Sequence, residues 1–96
     1  MGFKSGDKVK LYNWKDAHGR WSVYCRSQDR ICRHGEIYGI KKSSYDKFRK
    51  FDDLVIIDEY HKTKVYLVKG NHNNIMWYIP ECCLYRQKVE TNEQIH

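Results

Sequence analysis

Two stretches of this chain interleave cations with aromatic rings, the combination that lets a protein neutralise phosphates and stack on exposed bases. The denser one is KKSSYDKFRKF, positions 41–51. There Lys41, Lys42, Lys47, Arg49 and Lys50 surround Tyr45, Phe48 and Phe51, with Asp46 as the single acid. The other runs from Trp14 to His34 and carries Lys15, His18, Arg20, Arg26, Arg30 and Arg33. Lys15, Arg20, Arg26, Arg30, Arg33, Lys41, Lys42, Lys47, Arg49 and Lys50 are thus the candidate phosphate contacts, with Tyr45 as a candidate stacking ring. Phe48 and Phe51 stand three residues apart, so on a helical turn they share a face and are expected to pack inward. The competing reading is a solvated connector whose rings belong to the core.

Other chemistry has less support. Cys25 and Cys32 lie seven positions apart, with His34 close by, while Cys82 and Cys83 are adjacent. Structural zinc is held by closer pairs whose sulfurs point the same way, and neighbours on a strand point to opposite faces. No metal site and no cofactor is expected. The four cysteines are read as free, small apolar side chains, so the fold should be indifferent to chelator and reductant. The chain contains no G-x-S-x-G, H-E-x-x-H, P-loop or G-x-G-x-x-G pattern, and no catalytic residue is proposed.

The balance of 18 Lys and Arg against 12 Asp and Glu gives a net charge of +6, which favours an anionic partner such as DNA or RNA. The opening MGFKSG has no apolar signal core, and no apolar run approaches the roughly 20 residues of a membrane span. A cytoplasmic protein without a membrane partner is expected.

The elements that must position these residues read as strands. KVKLY (8–12) and WSVYC (21–25) alternate, GEIYGI (35–40) starts at a glycine, and DLVIIDEY (53–60) has a continuous apolar centre suited to a strand covered on both sides. KVYLVK (64–69) and IMWYI (75–79) flank the turn signal GNHNN (70–74). A helical or 3₁₀ turn is expected only in the 43–51 connector. The fold class is all-β: a small antiparallel barrel of five to six strands over residues 1–85, followed by a flexible tail at 86–96. Val9, Leu11, Val23, Ile37, Ile56, Val65, Leu67, Ile79 and Leu84 should form its core.

GDKVKL resembles the first strand of SH3-like small barrels, RHGEIYGI the glycine-led core of their KOW-type and phage-encoded relatives, and WYIPECCL their 3₁₀ turn and closing strand. The resemblance implies a non-enzymatic module that binds nucleic acid or protein tails through loops and an open face. The leading expectation is a nucleic-acid-binding accessory factor that contacts the phosphate backbone. One alternative is a phage-type accessory protein that binds and inhibits a host protein, using Tyr12, Trp14, Tyr24 and Tyr38 as a partner patch. Another is a small-barrel endoribonuclease toxin, although the Arg-Pro strand entry of those toxins has no counterpart here.

Overall fold

The computed structural model describes residues 2–31, 36–70 and 74–87. Arg33, Cys32 and His34, along with 88–96 of the expected tail, lie outside the described residues. The chain runs β1 (Lys8–Leu11), α1 (Trp14–Ser27), β2 (Glu36–Ile37), β3 (Ile40–Lys41), α2 (Lys42–Arg49), β4 (Leu54–Glu59), β5 (Val65–Gly70) and β6 (Met76–Pro80). A 3₁₀ turn (Glu81–Cys83) then leads into β7 (Leu84–Arg86), one residue past the boundary expected at 85.

Five strands form one antiparallel sheet in the order β6-β5-β4-β1-β7, and β2 pairs with β3 in a separate hairpin. Val9 and Leu11 alternate inward along β1, which is paired on both sides: Val9 stands opposite Leu54 and Leu11 opposite Leu84. The described strands do not close the sheet by hydrogen bonds between β6 and β7, so the expected barrel is shown only as an antiparallel sheet with helices against it.

The all-β expectation fails between Trp14 and Ser27, where a 14-residue helix replaces the expected loop and the strand at 21–25. Trp21, Val23 and Cys25 satisfy a period of two, but Ala17, Trp21 and Cys25 satisfy a period of four, and that is the stripe α1 buries. Val23 accordingly sits on the outer face, 57% exposed, rather than in the core. Asn13 starts the helix: its Oδ1 accepts the Asp16 N–H at 2.9 Å, satisfying one of the donors a helix leaves open at its first turn.

GEIYGI is a hairpin rather than one strand. Ile37 pairs with Ile40 across Tyr38 and Gly39, both with positive φ (47° and 85°), as the tightest two-residue turn requires. The continuous apolar run of β4 is not covered on both sides. Leu54 and Ile56 are buried, whereas an irregularity between Ile56 and Asp58 leaves Ile57 exposed. Of the other expected core residues, Leu67 is only half-buried while its neighbours Val65, Tyr66 and Val68 are buried. The remaining seven are buried as expected. All of them except Val65 share one cluster with Trp21, Tyr45, Phe48 and Cys83.

Candidate nucleic-acid interface

Helix α2 arises where the sequence suggests a helical turn, and its inward face is set by Tyr45 and Phe48, both fully buried. Tyr45 is therefore not a stacking ring. Its hydroxyl donates to the Tyr12 carbonyl at 2.5 Å and its edge meets Trp14, while burial, more than any neighbouring charge, pushes its hydroxyl pKa well above the ordinary value. Phe51 is half-buried with its edge against Phe48, at 5.7 Å between centroids.

Two of the candidate cations in this stretch are engaged by the fold. Arg49 Nε donates to the Leu11 carbonyl at 3.1 Å, and Lys42 pairs with Asp46 at 2.6 Å. Lys41, Lys47 and Lys50 remain exposed. Ser43, Lys47 and Lys50, at i, i+4 and i+7, share the face opposite Tyr45.

The cations of the first stretch, expected on a loop, are instead ordered along α1. Lys15, Arg20 and Arg26 are all exposed. The one carboxylate of this helix, Asp16, accepts from the Asn13 side-chain amide at 3.2 Å. The Arg20 guanidinium lies 4.0 Å from the centroid of Tyr12, which in turn packs on Tyr85 at 4.7 Å. Such a planar cation keeps its charge while losing little further freedom on meeting a phosphate. Arg30, just beyond the helix, lies over the Trp21 ring at 5.8 Å. Tyr12, Trp14, Tyr24 and Tyr38, the candidate partner patch, are all half-buried against the core.

Two clefts flank α1 and share Tyr24 as a wall. The larger, about 770 Å³, lies between the outer face of the helix and the 3₁₀ turn, with Lys15, Arg20 and Cys82 on its lining. The expectation that Cys82 and Cys83 point apart fails because they sit in a 3₁₀ turn rather than on a strand. Their sulfurs are 3.9 Å apart, and Cys83 faces the Ala17 carbonyl at 3.7 Å. The sulfur contact with Cys83 holds the Cys82 thiol below its usual range, with Arg20 adding a smaller pull, while the same contact together with burial pushes Cys83 up. Cys25 also departs from expectation: it is disulfide-bonded in the last turn of α1. The expectation of free thiols follows from the compartment inferred for the chain, which does not determine which sulfurs the fold brings into reach.

The second cleft, about 460 Å³, opens between the C-terminal end of α1, the β2–β3 turn and the β4–β5 turn. Arg30, Lys62 and Lys64 line it with Tyr24 and Tyr38. Lys62 and Lys64 are not among the cations expected from the sequence. HKTK (61–64) carries enough charge to signal a site, but Lys62 falls in the short connector after DLVIIDEY and Lys64 opens the strand read at 64–69.

Comparison of the chain with protein-family models, with curated proteins and with solved structures finds no match.

Proposed function

We propose that this chain is a non-enzymatic nucleic-acid-binding protein of SH3-like small-barrel type, with α1 as the main phosphate-contacting element and Lys41, Lys47 and Lys50 as a secondary one. The carrying observation is the solvent side of α1, where Lys15, Arg20 and Arg26 are exposed against Asp16 as the one acid of the helix. The barrel assignment is supported by the 3₁₀ turn and closing strand at 81–86, which pairs with the GDKVKL strand. Phosphate contacts of this kind position the protein on a backbone and carry no base information directly.

The test compares two triple variants, Lys15→Gln/Arg20→Gln/Arg26→Gln on α1 and Lys41→Gln/Lys47→Gln/Lys50→Gln around α2. On duplex DNA the slope of log K against log salt should flatten by about 0.9 for every phosphate no longer neutralised, and on single strands by about 0.7. The α1 set should account for the larger part. Bound nucleic acid should also slow alkylation at Cys82, which shares a cleft with Lys15 and Arg20. An unchanged slope in both variants, or no binding at low salt, overturns the proposal.

A second reading, a protein-binding accessory factor, is favoured by a different surface. Ile57, Tyr60, Met76 and Tyr78 are exposed on β4, its following turn and the edge strand β6, with Tyr60 and Tyr78 in edge contact at 5.2 Å. Loss of a co-purifying protein on Met76→Lys, with nucleic-acid binding unchanged, would favour it.

A further inference from the structure

The cleft between the C-terminal end of α1 and the β4–β5 turn has features that a solvated groove does not need. Of the described residues lining it, Arg30, Lys62 and Lys64 are cationic, Tyr24 and Tyr38 are aromatic, and none is a carboxylate. Its walls come from three separate parts of the chain, and the Tyr24 hydroxyl reaches the Thr63 carbonyl at 3.5 Å, linking helix to turn.

The backbone conformation there is a second, independent observation. Five described non-glycine residues have positive φ: Asp29, Tyr38, His61, Lys62 and Lys64. Three of them line this cleft, and the other two are chain neighbours of lining residues. Tyr38 owes its positive φ to the two-residue β2–β3 turn, and Asp and His enter this region more readily than most residues. That leaves Lys62 and Lys64 as the strained pair, and such backbone tends to collect where a ligand is clamped. Here the turn is over-determined. Tyr60 N–H donates to the Val65 carbonyl at 2.8 Å, Thr63 N–H to the Tyr60 carbonyl at 3.0 Å, and Lys64 N–H to Glu59 Oε2 at 3.0 Å. With those bonds fixing the turn, the Lys62 and Lys64 side chains are left to the cleft.

We propose that this cleft is a nucleotide site, in which Arg30, Lys62 and Lys64 hold a phosphate and the attached base lies against the Tyr24 and Tyr38 side. Trp21, stacked on Tyr24 at 5.5 Å and 18°, backs the aromatic wall, and Arg30 lies over that same indole. A volume of about 460 Å³ accommodates one nucleotide and excludes a duplex. The nucleotide can be the phosphorylated end of a strand or a free mononucleotide. In the first form the site extends the nucleic-acid reading and rests on it, with Tyr24 joining this cleft to the one beside Arg20.

The experiment measures binding of adenosine monophosphate, and of a short oligothymidylate with and without a 5′-phosphate, by quenching of Trp fluorescence. The protein is compared with its variant Lys62→Asn/Lys64→Asn. Asn tolerates positive φ better than Lys, so this variant should melt at the same temperature or higher. It should bind the phosphorylated ligand about tenfold more weakly. Preference for the phosphorylated strand, abolished in the variant, supports a strand-end site, while binding of the monophosphate alone supports a free-nucleotide site and speaks against the nucleic-acid reading. If the strand binds equally with or without its phosphate and the variant binds as well as the parent, the nucleotide site is overturned and the α1 reading stands. Failure of every ligand to bind overturns the nucleotide site, while the α1 reading is decided by its own test on duplex DNA.

Discussion

Helices α1 and α2 are both basic, both amphipathic and in contact through Trp14 and Tyr45, yet they use their polar groups differently. In α2 the hydroxyl of Tyr45 and the guanidinium of Arg49 bond to consecutive carbonyls at the end of β1, and Lys42 is paired within the helix. Those groups hold α2 onto the sheet. In α1, Asn13 and Asp16 settle the helix start, while Arg20 within the helix and Arg30 just beyond it rest over rings rather than carbonyls. The stretch with the denser charge is thus the more structural one. Charge density in a sequence does not say which cations are available to a ligand; the acceptors that the fold places beside them do.

The largest effect that could break this contrast is truncation of the inward face of α2. Phe48→Ala should destabilise by about 3–5 kcal/mol, read from urea denaturation, because a fully buried ring leaves a cavity that the sheet cannot refill. A loss below about 1 kcal/mol would show that α2 is not a structural element. Next, dithiothreitol should lower the stability by about 2–4 kcal/mol through the disulfide at Cys25, in the last turn of α1. An unchanged melting temperature under reductant would show that packing alone holds α1.

A smaller change sharpens the comparison at the helix starts. Asn13→Ala should cost about 1 kcal/mol, because Asp16 N–H loses its acceptor. The equivalent position of α2, Lys41, makes no side-chain cap, so Lys41→Ala should cost far less in the same melt. Smallest is Lys42→Gln, where the exposed pair with Asp46 contributes only about 0.3 kcal/mol and less in high salt. A salt-insensitive loss above about 1 kcal/mol would mean that Lys42 supports the fold by something other than this ion pair.

Much of the sheet was legible from the sequence. Val9 and Leu11 lie two apart and are buried as a pair, Ile56 is buried as expected, and GNHNN falls between the strands read at 64–69 and 75–79. Helix α1 is not legible in a five-residue window, because WSVYC fits both periods. A window extended to Asn13, Asp16 and Ala17 contains a cap and a four-residue stripe. Tyr45 misleads because its hydroxyl suggests a wet ring, and only the fold supplies the Tyr12 carbonyl that lets it be buried. The proximity of Cys82 to Arg20, and the joining of Lys62 and Lys64 with Arg30 and Tyr38, are long-range matters that no local pattern encodes.

Strand β1 has a consequence for how the protein comes to be folded. It precedes both of its partners, and both are distant in the chain: β4 lies beyond both helices, and β7 is the last described strand. As the chain leaves the ribosome, Val9 and Leu11 emerge long before Leu84, the residue that completes their second edge. Nearby segments such as α1 and the β2–β3 hairpin can form early, but the central strand waits for the whole sheet. Such non-local pairing must close long loops before its contacts reward it, so docking of β1 follows the local elements rather than preceding them.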